Sequence, residues 1–196
     1  MRRPFGGSAP ADWLVVGLGN PGAEYERTPH NVGFQVIAEL ARRWDLPKPK
    51  KSFGGLLSQG RTGPGGPRVA VLQPLTYMNE SGNSAGPARG ALKVELDRVL
   101  VVHDEIDLAF GDIRERLGGG LAGHNGLKSL RRGLGSPDFG RVRVGVGRPD
   151  STDPEVVAAY VLGRWRQPAA DVQALVADAA SVVERVVLGE IELATR

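Results

Sequence analysis

The chain has 196 residues, which is long enough for one domain with a substantial core and too short for two of typical size. Its hydrophobic content of 41% and charged content of 24% are ordinary for a globular protein, and no apolar stretch approaches the roughly 18 residues of a membrane span. It has no cysteine, so disulfides and thiol chemistry are excluded, and the net charge is a mild +3. We expect a cytoplasmic protein with a flexible tail at residues 1–11, which lack the apolar region of a secretion signal, and one domain over residues 12–196.

Apolar, β-branched runs alternate with helical patterns along the chain. Buried strands are predicted at residues 13–18, 68–73, 98–103 and 141–146, with a weaker strand near 53–59 and an amphipathic one near 112–117. Helices are predicted from about residue 31 to Trp44, and over residues 81–93, 125–134, 153–161 and 168–188. The Gly/Pro-rich segment 61–67 is typical of a hairpin connection. This alternation predicts an α/β sandwich with a mostly parallel or mixed sheet.

Residues 17–22, GLGNPG, have the G-x-G-x-x-G spacing of a dinucleotide-binding turn behind a strand. That turn requires a helix that starts inside the motif, and an acidic residue about 20 positions later at the end of a second strand. Here Pro21 interrupts the motif, the helical pattern begins only near Asn31, and Glu39 lies within a helix. We therefore predict no nucleotide cofactor, and instead a tight loop that presents Asn20 beyond a strand end.

Residues 82–86, GNSAG, match the nucleophile elbow G-x-S-x-G, and Ser84, Asp104 and His124 follow the chain order of an α/β-hydrolase triad. The elbow needs a strand that runs directly into the serine, whereas Pro74 and a polar stretch separate the preceding strand from Ser84. We therefore favour small residues on a closely packed helix face, and a serine hydrolase remains the alternative.

Each of the three histidines has a structural and a functional interpretation. His103 is expected to pack or hydrogen-bond at a strand end, and His124 can cap a helix or line a cleft. His30 precedes a helical pattern, and an imidazole there can act as a general base near neutral pH. The residues alone favour a structural role for His30.

Asp104 follows the strand VLVVH at its carboxyl end, where α/β sheets open their clefts; a loop-capping carboxylate is the alternative. We expect Glu105 and Asp107 in an exposed turn. The stretch HDEID at residues 103–107 also invites a metal site, but its spacing matches no usual ligand set, so we expect no metal.

Basic residues dominate the segment between residues 114 and 148, which has only two acidic residues, Glu115 and Asp138. The basic residues are Arg114, Arg116, Lys128, Arg131, Arg132, Arg141, Arg143 and Arg148. The charge alone leaves two interpretations open, a solvated surface and a patch that contacts phosphates.

Four segments resemble bacterial peptidyl-tRNA hydrolase in order and spacing. They are GLGNPGAEYERTPHNVGF (17–34), PLTYMNESG (74–82), VVHDEIDLAFGDIRERLGGGLAGHNGLKSL (101–130) and FGRVRVGVGRP (139–149). The resemblance extends from about Trp13 to the C-terminal helices. It implies a single α/β domain with a twisted mixed sheet flanked by helices, and hydrolysis of the ester that joins a peptide to the 3′ end of tRNA. The implied partner is peptidyl-tRNA, largely regardless of sequence, and we expect a monomer.

The resemblance also implies roles for individual residues. His30 is the general base that activates water, Asp104 orients and polarises it, and Asn20 is an amide that can donate to a developing oxyanion. Around the cleft the implied substrate-binding positions are Tyr25, Met78, Asn79, His124 and Asn125. For Tyr25 and Met78 ordinary packing is the alternative.

Arg116 and Arg143 fall on the positions that hold the 5′ phosphate of tRNA in the family. Guanidinium forks suit phosphate oxygens and position a nucleic acid without reading its sequence. The alternative from another class is a noncatalytic RNA-binding relative, against which the retention of His30 and Asp104 argues.

The chain departs from the family pattern at two places near the implied site. Pro29 stands where an arginine is common, which removes a charge and restricts Thr28 to extended conformations. Residues 121–122, Leu-Ala, occupy part of a loop where glycine is typical. Both departures leave every implied catalytic position intact.

Overall fold

A computed structural model describes residues 8–195 of the chain. The strands within this range are β1 (Trp13–Gly17), β2 (Lys50–Ser52), β3 (Gly55–Arg61), β4 (Arg68–Pro74), β5 (Val99–Glu105), β6 (Ile113–Leu117) and β7 (Gly140–Gly145). The α-helices are α1 (Val32–Arg43), α2 (Gly82–Leu92), α3 (Asn125–Leu134), α4 (Pro154–Leu162) and α5 (Ala169–Val187). Two short 3-10 turns, Pro29–Asn31 and Met78–Glu80, lead into α1 and towards α2.

The strands form one mixed sheet in the order β2-β3-β4-β1-β5-β7-β6. The four central strands, β4, β1, β5 and β7, are parallel, and the edges are antiparallel. Because parallel strands end at one edge of the sheet, Asn20 after β1 and Asp104 near the end of β5 lie at the same edge. The predicted α/β fold with a mixed sheet is confirmed.

Helices cover both faces of the sheet and enclose two apolar cores. On one face α1 and α5 pack against inward-facing residues such as Val15 and Val102. On the other face α2 and α3 pack against residues such as Val16 and Val101. Each fully buried aliphatic side chain stabilises the fold by about 1.5–3 kcal/mol relative to exposure, so this double layer holds the strand ends rigidly.

The glycines of GLGNPG allow α1 to approach the end of β1. A Cβ on Gly17 would collide with the carbonyl oxygen of Gly33, and a Cβ on Gly19 would lie against the ring of Phe34. In turn, a Cβ on Gly33 would collide with the backbone of Leu18. The motif therefore serves close packing of backbone, and the prediction of a tight loop carrying Asn20 is confirmed.

The GNSAG segment lies in α2 and packs against α3. A Cβ on Gly82 would collide with the carbonyl oxygen of Ser129, and a Cβ on Gly86 would collide with that of Gly133. Ser84 is fully buried in the first turn of α2, and its hydroxyl has no hydrogen-bond partner. The predicted small-residue packing is confirmed.

Most predicted elements are present, with differences at their ends. The edge strand β2 was not predicted, because Lys50 and Lys51 lack an apolar pattern; lysines are typical of edge strands that avoid further pairing. β5 continues beyond the predicted residue 103, since Asp104 and Glu105 pair with β7. The expectation of an exposed turn is therefore wrong for Glu105, which is buried, and right for Asp107.

The predicted tail is only partly described, because residues 1–7 lie outside the described residues. The part that is described contacts the domain: the N–H of Ala11 donates to the carbonyl of Leu92, and Ala11 is buried. The side chain of Gln59 donates to the carbonyl of Ala9. Within residues 8–195 no helix combines the length and apolarity that crossing a membrane requires.

Candidate active site

Two histidines from opposite layers of the fold meet at the carboxylate of Asp104. His30 comes from the turn before α1, and its Nδ1 lies 2.9 Å from both Oδ1 and Oδ2 of Asp104. His124 precedes α3, and its Nε2 lies 2.9 Å from Oδ1. Asp104 is 4% exposed, so the carboxylate has little contact with solvent except through its partners.

The hydrogen-bond pattern assigns the proton on each ring. Nδ1 of His124 accepts from the backbone N–H groups of Gly126 and Leu127, so the ring proton is on Nε2 and is donated to Asp104. Since the carboxylate accepts, His30 donates its Nδ1 proton to Asp104. Nε2 of His30 therefore keeps its lone pair, as a general base requires.

The same contacts shift the pKa values of the group. Burial disfavours the charged form of His30, but the charge and hydrogen bond of Asp104 outweigh this, so the pKa of His30 is raised above its usual 6.5. Burial alone would raise the pKa of Asp104, but His30 and His124 hold that pKa well below its usual range. Asp104 stays ionised and stabilises positive charge on His30.

His103 belongs to the supporting structure. Its Nδ1 donates to the carbonyl oxygen of Asp104 at 2.8 Å, and its ring packs edge-on against that of His124 at 5.1 Å. Burial, reinforced by His124, lowers the pKa of His103 to about 3, so the ring is neutral at physiological pH. The structural interpretation of His103 is confirmed, and His124 both caps α3 and faces the cleft.

Asn20 is held in one orientation by three hydrogen bonds. Its backbone N–H donates to Oδ1 of Asn31 at 2.8 Å, and its carbonyl accepts from Nδ2 of Asn31 at 2.9 Å. Its side-chain Oδ1 accepts from the N–H of Met78 at 2.8 Å. The Nδ2 donor of Asn20 is thus the part of the amide left for a ligand. Sequence analysis missed Asn31, although it directly follows His30.

A cleft of about 500 Å³ opens beside the histidines. Four of the expected site residues line it: His30, Asp104, His124 and Asn125. Another part of the wall comes from the segment around α4, which sequence analysis did not assign to the site; it includes Thr152, Pro154, Val157, Ala158, Val161 and Leu162. The cleft therefore combines the polar side chains of the two histidines and Asp104 with apolar side chains from α4.

The other expected site residues do not line this cleft. Met78 is buried, and its side chain packs against Gly126 in the first turn of α3. The ring of His124, which lines the cleft, also lies close to Gly126. Asn79 follows Met78 and is exposed. Tyr25 is half-buried, and its carbonyl accepts a hydrogen bond from the Thr28 hydroxyl.

Both departures from the family pattern adjoin the cleft. Thr28 is extended, with φ −115° and ψ 150°, and Pro29 opens the 3-10 turn that carries His30. This is the conformation that proline imposes on its predecessor, so Pro29 suits the local backbone. Ala122 lines the cleft with φ at 48°, in the left-handed region that favours glycine.

The expected phosphate-binding arginines lie on neighbouring strands. In the antiparallel pair β6/β7, Arg116 is opposite Arg141 and Arg114 is opposite Arg143. Nε of Arg143 donates to Oε2 of the buried Glu105 at 3.0 Å, which leaves its terminal NH₂ groups for an anion. The ion pair of Glu105 thus links β5, which also carries Asp104, to the basic group formed by Arg114, Arg116, Arg141 and Arg143 on β6 and β7.

Arg141 is the buried centre of the basic group. Its guanidinium donates to the carbonyls of Gly119, Gly120 and Pro137. Burial, together with the neighbouring charges of Arg116 and Arg143, lowers the pKa of Arg141 to about 10. The cation therefore anchors the glycine loop after β6 and adds to the positive potential of the surface.

His30, Asp104 and His124 are also the residues within 8–195 whose ligand atoms lie close enough for a metal ion, all within 4.8 Å of one another. The expectation of no metal rested on ligand spacing and on other roles for two of the histidines, and it did not foresee this convergence. The nitrogens of His30 and His124 that face Asp104 each make a hydrogen bond of ordinary length to its carboxylate, so donated ring protons account for the short distances among the three side chains.

Comparison with known proteins identifies the family of the chain. The family model described as peptidyl-tRNA hydrolase matches residues 14–196. The peptidyl-tRNA hydrolase of Kineococcus radiotolerans is 47% identical over 192 residues, covering 93% of this chain and 94% of that protein. That of Geobacillus kaustophilus is 48% identical over 161 residues, covering 81% of this chain and 84% of that protein.

Solved structures agree as well. The crystal structure of peptidyl-tRNA hydrolase from Acinetobacter baumannii superposes with a TM-score of 0.79 and 38% sequence identity, covering 94% of this chain and 93% of that chain. The chain therefore belongs to the peptidyl-tRNA hydrolase family.

Proposed function

We propose that this protein hydrolyses the ester between a peptide and the 3′ end of tRNA, with a water molecule activated by His30. The observation that carries the proposal is the His30–Asp104 pair, in which Nδ1 is bonded to the carboxylate and Nε2 is left as a base. Family membership supports the substrate, because the relatives are peptidyl-tRNA hydrolases. Release of free tRNA would return it to translation.

The geometry supports a reaction in which His30 moves one proton. Nε2 of His30 takes a proton from water, and the resulting hydroxide attacks the ester carbonyl carbon. Asp104 stabilises the imidazolium that forms. When the tetrahedral intermediate collapses, the ester C–O bond to the 3′ oxygen breaks and that oxygen receives the proton from His30. The products are tRNA and a peptide carboxylic acid, which releases its proton to solvent, with no redox change and no cofactor required.

Two amides, Asn20 and Asn125, would contact the peptide end of the substrate. Asn20 has its Nδ2 donor free, and its orientation is fixed by Asn31 and Met78. Asn125 lines the cleft next to His124. A preorganised neutral donor stabilises an oxyanion without competing for the proton that His30 carries. We assign Asn20 to the oxyanion, and Asn125 to substrate binding.

The remaining expected residues contribute to substrate binding. Tyr25, Met78 and Asn79 would shape the approach to the 3′ end, and the terminal NH₂ groups of Arg116 and Arg143 would hold the 5′ phosphate. Since these are contacts to backbone and phosphate, the enzyme would accept many tRNAs. We further propose that residues 12–196 act as one catalytic domain and that the protein is a cytoplasmic monomer. Light scattering on the purified protein would test whether it is a monomer.

The serine-hydrolase alternative is disfavoured by the environment of Ser84. Its hydroxyl is fully buried and has no histidine or other partner, so it lacks both a base and access to substrate. The noncatalytic RNA-binding alternative is disfavoured because the base and its carboxylate are both present and correctly paired.

The test is release of an N-blocked amino acid from its tRNA by the purified protein in EDTA. We expect cleavage by the wild type and by Ser84→Ala, no labelling by a serine-reactive phosphonate, and loss of cleavage in His30→Ala. Tight tRNA binding without wild-type cleavage would contradict the enzyme and favour the RNA-binding alternative. Loss of activity in EDTA, restored by a divalent metal, would contradict the metal-free reaction.

A further inference from the structure

Helix α3 carries three basic side chains and no acidic one. Lys128, Arg131 and Arg132 are all exposed. Within residues 8–195 none of the three forms an ion pair with a carboxylate. No carboxylate neutralises these charges, and the reaction assigned above makes no use of them.

The three charges occupy different positions around the exposed side of the helix. At about 100° per residue, Asn125, Lys128 and Arg132 fall within a sector of about 60°. Arg131 falls outside this sector, about 60° beyond Lys128 and about 100° from Arg132. We call Asn125, Lys128 and Arg132 the α3 stripe.

Each end of the α3 stripe adjoins the candidate active site. Asn125 lines the cleft beside His124. At the other end, the guanidinium of Arg132 donates to the carbonyl of Asn79 at 3.3 Å. Asn79 directly follows Met78, whose N–H orients Asn20. The stripe therefore runs from the cleft to the turn that supports Asn20.

The length and charge of the stripe suit a nucleic acid strand. Seven residues of helix span about 10 Å, a distance over which one strand presents more than one phosphate. The long, exposed side chains of Lys128 and Arg132 can follow a flexible backbone, and they offer only donors, which suits phosphate oxygens. Because the ester to be cleaved is at the 3′ end, the strand that enters the cleft is the single-stranded 3′ end of the tRNA.

We propose that Lys128 and Arg132 contact phosphates of the single-stranded 3′ end of the substrate and so position its terminal ester in the cleft. This inference rests on the proposed function, since it takes peptidyl-tRNA as the substrate. It assigns two positioning residues in the α3 stripe and leaves Arg131, outside the stripe, without a contact to that strand.

The test compares Lys128→Gln, Arg132→Gln and Arg131→Gln, which each remove one charge from the same helix. For the first two we expect a higher KM with nearly unchanged kcat. At about 50 mM salt the loss in kcat/KM should be about threefold larger than at about 200 mM, because one single-strand phosphate contact has been removed. Arg131→Gln should match the wild type.

Equal effects of Arg131→Gln and Arg132→Gln on KM would overturn the proposal, because the overall positive potential of α3 would then explain both effects. A fall in kcat at constant KM in Arg132→Gln would overturn it as well, because Arg132 would then act only by holding the Asn79 turn. Binding of deacylated tRNA with an intact 3′ end, compared with tRNA lacking its unpaired 3′ nucleotides, keeps this test separate from catalysis. If the wild type binds tRNA but does not cleave the ester, the proposed function fails. The α3 stripe still predicts that Arg132→Gln weakens binding of the intact tRNA only, and not of the tRNA that lacks its unpaired 3′ nucleotides.

Discussion

His124 is hydrogen-bonded to Asp104 through Nε2, at 2.9 Å, while Nδ1 of the same ring caps the first turn of α3. One imidazole thus ties the helix that borders the cleft to the carboxylate that supports His30. This relationship fixes the tautomer of His124 and leaves Asp104 shared between two rings. Its two functions can be separated by substitution.

His124→Ala should lose both functions of the ring. We expect a loss of about 1 kcal/mol of stability from the missing helix cap, and a lower kcat because Asp104 keeps only one partner. His124→Asn should restore most of the stability, since asparagine is a good N-cap, without restoring kcat. Thermal unfolding and steady-state kinetics measure the two effects. Recovery of kcat in His124→Asn would mean that the cap alone is needed.

The pH dependence of the reaction should report the His30–Asp104 pair. The active form of His30 is neutral, and Asp104 raises the pKa of His30 above 6.5. Activity should therefore fall as the pH is lowered through that raised pKa. In Asp104→Asn the midpoint should move to lower pH and the plateau of kcat should fall roughly 100- to 10,000-fold. An unchanged midpoint in Asp104→Asn would show that another group titrates.

Asn20→Asp tests the proposed oxyanion donor with almost no change of shape. The carboxylate keeps an oxygen to accept from Met78, but it loses the Nδ2 donor. We expect kcat to fall about 100- to 1,000-fold, with the fold preserved as judged by circular dichroism. Wild-type kcat in this variant would exclude Asn20 from catalysis.

Arg143→Ala tests the phosphate site. Glu105 directs the guanidinium through Nε, so loss of Arg143 should raise KM for tRNA with a 5′ phosphate and reduce the salt dependence by about one unit of slope. With tRNA lacking that phosphate, Arg143→Ala and the wild type should behave alike. The neighbouring Arg114→Ala serves as the control and should affect both substrates equally. The same pattern in both variants would argue against a specific contact.

The fold was predictable because its patterns are local. Apolar strand runs, the helix over residues 125–134 and the Gly/Pro hairpin before β4 each depend on residues near in sequence. β2 was missed because pairing with β3, and not its own composition, makes Lys50–Ser52 a strand. Likewise the turn expected at Glu105 is part of β5, because β7 extends the pairing by two residues.

The site was predictable only in part, for a related reason. His30 and Asp104 were identified through resemblance, whereas the residues alone favoured a structural role for His30. The contact between them joins positions 74 residues apart. The Asn20–Asn31 clamp and the wall formed by α4 depend on tertiary packing, and no motif in the sequence announces them.

The most direct test of the account is the single-turnover rate of ester cleavage in EDTA for wild type, His30→Ala and His30→Asn at saturating enzyme. Saturation removes differences in binding, so the rate reports the chemical step. We expect both variants to lose about 100- to 10,000-fold in rate while still binding tRNA as the wild type does. A variant that cleaves at the wild-type rate would show that His30 is not the base, and would contradict the central claim.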